Sequence, residues 1–289
     1  MNRIRLALQK EGRLSNNSVR ILEKIGVGPE NGARSLFSEC RNFEMDLLWL
    51  RDDDIPQYVQ SGSCELGIAG ENVIFEKQIE VDILQKLDFG KCELKLLAPP
   101  ELDLSRLENL NGLRIATSYP NLTKTFLRSN QLNCKIIFVA GSVEVTPRLN
   151  IADAVVDLVS TGQTAKINGL EEKMTLLKSQ AVLFATTDYR NKLPAEKIQK
   201  IEELCLRIKS SLNSAQMRYL MMNAPKENLG ALVKIIPGVL SPTILELQDS
   251  QMIALHAIIK EQDVWKVLPL AKKLGACDFI STSIDAYMP

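Results

Sequence analysis

Short apolar runs alternate with amphipathic stretches from the first residues onward. "IRLAL" (4–8) reads as a buried strand, and "SNNSVRILEKIG" (15–26) as a helix that Ser15 or Asn16 caps and Gly26 stops. "MDLLWL" (45–50) predicts a strand and "DDDIPQYVQSG" (52–62) a short helix opened by capping aspartates. "ELGIAG" (65–70) predicts a strand, and "ENVIFEK" (71–77) the start of a helix. This alternation predicts an α/β layer around a largely parallel sheet.

A second α/β unit starts near residue 93. Its strands are "ELKLLAP" (93–99), "LRIATS" (113–118), "KIIFVA" (135–140) and "DAVVDLVS" (153–160), with a helix in "NLTKTFLRSN" (121–130). "QAVLFATT" (180–187) leads the chain back toward the first unit. A long amphipathic helix follows, with Ile201, Leu204, Cys205, Ile208 and Leu212 at helical spacing. From about residue 214 the order becomes strand (217–224), helix (228–238), strands (243–247 and 252–259), helix (263–275), strand (277–284). That is the β-α-β-β-α-β order of a ferredoxin-like unit. The expected division is residues 1–92 with 185–213 as one lobe, 93–184 as a second lobe, and 214–289 as a separate small domain.

Charge and composition narrow the function classes. Lys plus Arg and Asp plus Glu each number 35, so no basic excess marks a nucleic-acid binder. The six cysteines are scattered, with no CxxC, which suggests neither a zinc site nor a disulfide framework. No apolar run approaches the ~20 residues of a membrane helix, and "MNRIRLALQKEGRL" does not read as a signal peptide. The expectation is a cytoplasmic protein with reduced thiols and no membrane partner.

The candidate chemistry sits at strand ends. In "DLVSTGQT" (157–164) an apolar strand runs into Ser160, Thr161, Gly162, Gln163 and Thr164, and "GQTAKING" opens a helix. Small hydroxyls, a glycine and unpaired helix-start amides together suit a phosphate cradle; a capped strand-to-helix turn has the same pattern. Glu144, Asp153 and Asp157 lie upstream, and Asp153 and Asp157 share a face of the strand. Carboxylates beside a phosphate cradle suit ribose hydroxyls or a phosphate-bound Mg²⁺, while Asp153 also reads as a solvated strand end. Lys10 and Arg13 flank Gly12 after the first strand, where α/β sheets bind ligands; a solvated loop reads equally well. Of the "RDDDIP" residues (51–56), one aspartate reads as a helix cap and Arg51 as the ligand group. The sole histidine, His256, falls inside a strand of the small domain and reads as structural, which disfavours a Ser-His-Asp or Cys-His hydrolase.

Several stretches together resemble one family: "QKEGRLSNNS" (9–18), "LRDDDIP" (50–56), "ELGIAGEN" (65–72), "LDFGKCEL" (87–94), "LRIATSYPNL" (113–122), "GSVEVTPRLNIADAVVDLVSTGQT" (141–164) and "SPTI" (241–244). The family is ATP phosphoribosyltransferase, which opens histidine biosynthesis, and the resemblance covers nearly the whole chain. It implies a bilobal, periplasmic-binding-protein-like catalytic core. The ferredoxin-like C-terminal unit is similar to the regulatory domain of the long form; the short form lacks it and needs a partner subunit. The implied reaction moves phosphoribosyl from 5-phosphoribosyl 1-diphosphate (PRPP) to N1 of ATP, with Mg²⁺ accompanying the diphosphate.

The resemblance also implies roles. Ser160, Thr161, Gly162, Gln163 and Thr164 grip the 5-phosphate. Asp157, with Asp153, binds ribose, and Glu144 positions ribose or metal. Lys10, Gly12, Arg13, Arg51, Glu71 and Tyr119 fall to the ATP side of the cleft. Histidine is the implied feedback effector, at Asn223, Ser241, Thr243 (flanking Pro242) and Ala276; a carboxylate is expected at position 223, where this chain has Asn. Homo-oligomers, a dimer assembling into a hexamer, are implied as well. Two rivals remain: a non-enzymatic solute-binding or sensor protein, which would lack the 144–164 segment, and a subunit that binds substrates without turnover.

Overall fold

The computed structural model describes residues 3–30, 36–159, 163–238, 241–248 and 251–288, with the Thr164 side chain also outside the description. The chain divides into two compact units, Met1–Glu202 and Glu203–Pro289.

The first unit contains two lobes, each built on its own sheet. Lobe I starts with β1 (Ile4–Gln9), α1 (Arg13–Lys24), β2 (Phe37–Glu39), β3 (Met45–Leu50) and α2 (Ile55–Gln60), then β4 (Leu66–Gly70), α3 (Glu71–Lys77) and β5 (Val81–Lys86). Lobe II follows with β6 (Cys92–Ala98), β7 (Arg114–Thr117), α4 (Pro120–Ser129), β8 (Lys135–Phe138), β9 (Ala154–Val159), α5 (Gln163–Ile167) and β10 (Glu171–Ser179). The chain then returns to lobe I as β11 (Ala181–Thr186), followed by α6 (Tyr189–Lys192) and α7 (Ala195–Ser214), within which the two units divide.

Lobe I orders its strands β2-β3-β1-β4-β11-β5, and lobe II β10-β6-β9-β7-β8. Both sheets are mixed rather than largely parallel. The β1 strand runs parallel to β3 and β4, and β7 runs parallel to β8 and β9. The strands that carry the chain between lobes, β5 and β6 outward and β10 and β11 on return, pair antiparallel. A two-lobed chain that crosses and comes back must reverse direction at its crossings. The return falls at Gln180: Ala181 to Ala185 are buried and pair with β4, so they belong to the lobe I sheet rather than to lobe II.

Each lobe buries two apolar faces of its sheet or packs helices against one. In lobe II, Leu94, Leu96, Ile115 and Val156 meet Leu127 of α4, while Leu97, Ala116 and Val155 meet Ala165 of α5 and Val143. In lobe I, Ala7, Ala69, Val182 and Phe184 pack with Ile55 and Val59 of α2 and Ile74 of α3. Alternation along a strand sends successive side chains to opposite faces, so these sets follow directly from the sequence pattern.

The second unit has the ferredoxin-like order that its sequence predicts: β12 (Met217–Pro225), α8 (Leu229–Ile235), β13 (Thr243–Glu246), β14 (Met252–Lys260), α9 (Glu261–Lys273) and β15 (Cys277–Ser283). The sheet is antiparallel, in the order β13-β14-β12-β15. Its core joins Leu220 and Met222, Leu255 and Ile259, Leu232 of α8 and Val264 and Val267 of α9.

Close packing at β4 gives the first test. A Cβ built on Gly67 would lie 2.6 Å from Phe184 Cζ and 2.9 Å from Ile55 Cγ2, and both of those residues are fully buried. Overpacking a filled core costs about 1–3 kcal/mol. Gly67→Ala is therefore expected to lower stability by that amount in urea, followed through buried Trp49 in a Trp265→Phe background.

Candidate functional site

The parallel strands of both lobes end on the same side of their sheets, and their carboxyl ends carry most of the polar residues singled out in the sequence. This is where open α/β sheets bind ligands. From lobe I, β1 leads to Lys10, Gly12 and Arg13, β3 to Arg51 and Asp52, and β4 to Glu71 and Asn72. From lobe II, β7 leads to Tyr119 and β9 to Asp157 and the segment 160–164.

Local structure fixes several of these groups. The Lys10 amide donates to the Leu50 carbonyl at 2.8 Å, tying the end of β1 to the end of β3. Gly12 caps α1 at φ 105°, ψ −179°, a conformation essentially confined to glycine, so no side chain obstructs the approach to the helix start. Lys10, Arg13 and Arg51 are all exposed. Glu71 and Asn72 open α3 and are buried (7% and 6% exposed), so their side chains are committed locally. Glu71 accepts the Gln180 amide at 3.2 Å and pairs with Lys86 at 3.4 Å. Asn72 Oδ1 accepts the Ser179 hydroxyl at 2.9 Å, and its amide donates to Ser179 Oγ at 3.0 Å. Glu71 is thus an anchor of the crossing.

Tyr119 and Asp157 are brought together with groups from lobe I. Burial, then the Asp157 charge, push the Tyr119 phenol well above its ordinary range; the nearby Asn72 amide opposes this, and Cys92 and Asp52 add to it. Burial also raises the Asp157 carboxyl. The Leu158 amide, donating to Asp157 Oδ1 at 2.8 Å, opposes that shift, and the Glu144 charge reinforces it. Glu144 lies in the 3₁₀ turn Val143–Val145 and is half-buried. Two carboxylates at one strand end repel each other, an arrangement that a cation or a hydroxyl donor relieves.

Asp153 is not part of this group. It precedes β9, at the end opposite Val159, a separation of roughly 20 Å at the usual strand rise. Its carboxylate takes the Arg114 backbone amide at 2.8 Å and the Arg114 guanidinium at 2.7 Å, and that hydrogen bonding holds it below the ordinary aspartate range. It fastens the amino-terminal ends of β7 and β9. The alternation rule correctly put Asp153 and Asp157 on one face, but a shared face says nothing about which end of the strand a group occupies.

Ser160, Thr161 and Gly162 lie outside the described residues, as does the Thr164 side chain; Gln163 is exposed at the start of α5. Next to Val159, the last described residue before this segment, a cavity of ≈ 410 Å³ is lined by Lys86, Lys91, Lys95 and Lys178 against Glu71 and Glu93. Lys95 pairs with Glu93 at 3.0 Å and Glu172 at 2.7 Å, and Lys178 reaches Glu93 at 3.7 Å. Sequence reasoning missed this basic basin. Three of its lysines come from three strands and Lys91 from the loop before β6, and two of those strands (β5 and β10) carry too weak an alternation to be read as strands.

Among the described residues, no group of three or more His, Cys, Asp or Glu side chains is placed to hold a metal ion. Mg²⁺ carried by substrate phosphates needs only one or two protein carboxylates, and the mutually repelling Asp157 and Glu144 fit that demand.

In the second unit, Asn223 is half-buried on β12, Ala276 is buried before β15, and Ser241 and Thr243 are exposed, Thr243 pairing with His256 across β13 and β14. His256 Nδ1 lies 3.0 Å from the Tyr219 hydroxyl, in keeping with a structural histidine. The β12–β15 pairing slips between Met221 and Asn223, and Asp278 stands in the slip at φ 53°. Asn223 Nδ2 donates to Asp278 Oδ2 at 3.0 Å. A carboxylate therefore stands beside Asn223, supplied by Asp278 of the neighbouring strand.

Asp52 yields a pH test. Its Oδ1 is shielded from water with no hydrogen-bond partner among the described residues, and burial, reinforced by Asp53, raises its pKa from 3.8 to about 6. Between those values the folded chain keeps a proton that the unfolded chain releases, so stability falls as pH rises through the window. Asp52→Asn is expected to melt above the wild type at about pH 8, with the difference closing near pH 4; a gap of equal size at both would contradict the assignment.

Comparison with known proteins agrees with this layout. A family model described as ATP phosphoribosyltransferase matches residues 51–210, and one described as HisG, C-terminal domain matches residues 215–286. An ATP phosphoribosyltransferase of Cytophaga hutchinsonii is 39% identical over 273 residues, 94% of each chain. One from Bacteroides thetaiotaomicron is 37% identical over 94% of this chain and 95% of its own. Among solved structures, the ATP phosphoribosyl transferase (HisG:HisZ) complex from Thermotoga maritima superposes with a TM-score of 0.61 at 26% identity, covering 71% of this chain and 96% of that one.

Proposed function

The chain belongs to the ATP phosphoribosyltransferase family, and from that premise we propose that it transfers the phosphoribosyl group of PRPP to N1 of ATP, releasing diphosphate, under feedback control by histidine. The observation that carries this reading is the meeting of Tyr119, Asn72, Asp157 and Glu144 at the strand ends, beside the lysine-lined basin and just before residues 160–164.

In this reading the hydroxyls of Ser160, Thr161 and Thr164, with the backbone at Gly162 and Gln163, hold the 5-phosphate. Asp157 accepts hydrogen bonds from the ribose hydroxyls, and Glu144 orients the sugar from the other side. Lys10, Arg13 and Arg51 neutralise the ATP phosphates, with Gly12 leaving the α1 start open to them. The basin formed by Lys86, Lys91, Lys95 and Lys178 receives the diphosphate. The adenine N1 lone pair forms the new bond to the anomeric carbon while the carbon–oxygen bond to diphosphate breaks and its electrons leave with the oxygen. No covalent intermediate on the protein is required. Rate comes from alignment and from cations where negative charge develops. Mg²⁺, held by the diphosphate with Asp157 and Glu144 as protein ligands, would supply further charge neutralisation.

For regulation, histidine is assigned to the second unit at Asn223, Ser241, Thr243 and Ala276, with Asp278 supplying the carboxylate that its ammonium group needs. Histidine must favour one state of the enzyme over another to inhibit it. Assembly into dimers and hexamers belongs to the same proposal.

The deciding assay follows phosphoribosyl-ATP absorbance with ATP, PRPP, Mg²⁺ and pyrophosphatase, with and without histidine. Product that histidine suppresses is the expected result; binding of both substrates without product would instead favour a non-catalytic subunit. The Thr161→Ala, Thr164→Ala double variant is expected to fold normally and to raise the KM for PRPP by about 100-fold, the loss of two charge-assisted hydrogen bonds at roughly 1.5 kcal/mol each. Unchanged PRPP kinetics would remove the cradle from the mechanism.

A further inference from the structure

A carboxylate of lobe I is bound to a helix start of lobe II. Glu76, on α3, accepts the Asn121 amide at 3.0 Å through Oε1 and the Leu122 amide at 2.9 Å through Oε2. Asn121 Nδ2 returns a third bond to the Glu76 carbonyl at 2.8 Å. The two amides are among the four at the start of a helix that have no partner within it, and an anion there also meets the positive end of the helix dipole. α4 spans Pro120–Ser129, and none of its own side chains caps its start. The cap is borrowed from the opposite lobe.

The same two helices meet a second time. Tyr119, which immediately precedes α4, lies near enough to Asn72, at the start of α3, for that amide to favour the ionised phenol. Thr117 Oγ1 takes the Tyr119 amide at 2.9 Å, and the Tyr119 carbonyl takes the Thr123 amide at 3.0 Å and its hydroxyl at 2.8 Å, so the residue is held on both sides. Glu76 and Asn72 lie four apart on α3, on one helical face. Asp53, Glu76 and Lys77 of lobe I and Ser118, Tyr119 and Asn121 of lobe II line a cavity of ≈ 440 Å³ along this seam.

We infer that Glu76 is a positioning residue: by capping α4 across the seam it sets the closure of the two lobes and, through Tyr119, the distance between the two substrates. The inference rests on the functional reading above, in which ATP is held chiefly by lobe I and PRPP by lobe II. When each reactant belongs to a different lobe, the angle between lobes is the reaction coordinate's starting distance, and a misplacement of about 1 Å costs roughly 100-fold in rate. The carboxylate suits the task because both oxygens are used. An amide of the same shape offers one acceptor and turns a donor toward the second N–H.

The test is Glu76→Gln in the full chain, with Glu76→Asp beside it, whose charge is kept but whose side chain is one methylene too short to span the seam. Both are expected to lower kcat by about tenfold or more with each KM changed less than about threefold. Hydrogen exchange should show faster exchange at the Asn121 and Leu122 amides while the lobe II sheet stays protected. An active wild type whose Glu76→Gln variant keeps full kcat would overturn the inference, whatever the exchange result. So would loss of kcat with the two amides still protected, because Glu76 would then act by some route other than the cap. A wild type without turnover would sink the functional reading itself, and exchange at the two amides would still report whether the cap exists.

Discussion

Two lobes that share one chain need a fastening where the chain crosses, and here it is a serine. Ser179 is buried at the end of β10, one residue before the return to lobe I. Its hydroxyl serves the Asn72 amide and the Asn72 side chain, while Glu71 and Gln180 exchange bonds beside it, the Glu71 amide reaching the Gln180 carbonyl at 3.0 Å. Four polar groups that a sharp crossing would leave unpaired in a buried place are thereby satisfied, where each orphan would cost about 1–3 kcal/mol. A Cβ on Gly70 would sit 2.3 Å from Asn72 Oδ1 and push that side chain out of its bond. The start of α3 thus both lines the lysine basin, through Glu71, and pins the crossing.

That double duty explains the electrostatics of the cleft. The acidic groups on the seam, Asp157 and Asp52, are partly desolvated and shifted upward, while the cations sit at the periphery: exposed arginines and Lys10 on one side, the lysine basin on the other. In the proposed reading, polyanionic substrates meet positive charge first and carboxylates last. A sugar hydroxyl can satisfy a carboxylate that has lost water, whereas a phosphate cannot, so the order of charges sorts the parts of the substrate.

Much of this was legible in the sequence. Every strand with apolar residues on both faces was read correctly, because burial on two sides leaves an unbroken apolar run. β2, β5 and β10 were not: all three are sheet edges, and β10 also shifts register twice against β6. An edge strand exposes part of each face, so its pattern blurs. The candidate residues at the carboxyl ends of β1, β3, β4, β7 and β9 were found from local chemistry. Asp153 was misplaced because spacing along a strand does not tell its two ends apart. Glu76, Ser179 and Asp278 gave no signal at all. Each acts on a partner distant in sequence (Glu76 on Asn121, Ser179 on Asn72, Asp278 on Asn223), and only the fold makes them neighbours.

The place of β11 in the lobe I sheet also sets an order of events during synthesis. It is inserted between β4 and β5, and among the described residues β5 pairs with no other strand. Residues 92–179 form a continuous insert whose sheet is complete before β11 leaves the ribosome. Lobe I, although made first, must wait with β4 open on one side and β5 unpaired until about a hundred further residues have been translated. The nascent chain therefore carries two unsatisfied strand edges for that interval, and the inserted lobe, not the amino-terminal one, is the first part of the protein able to stand as folded.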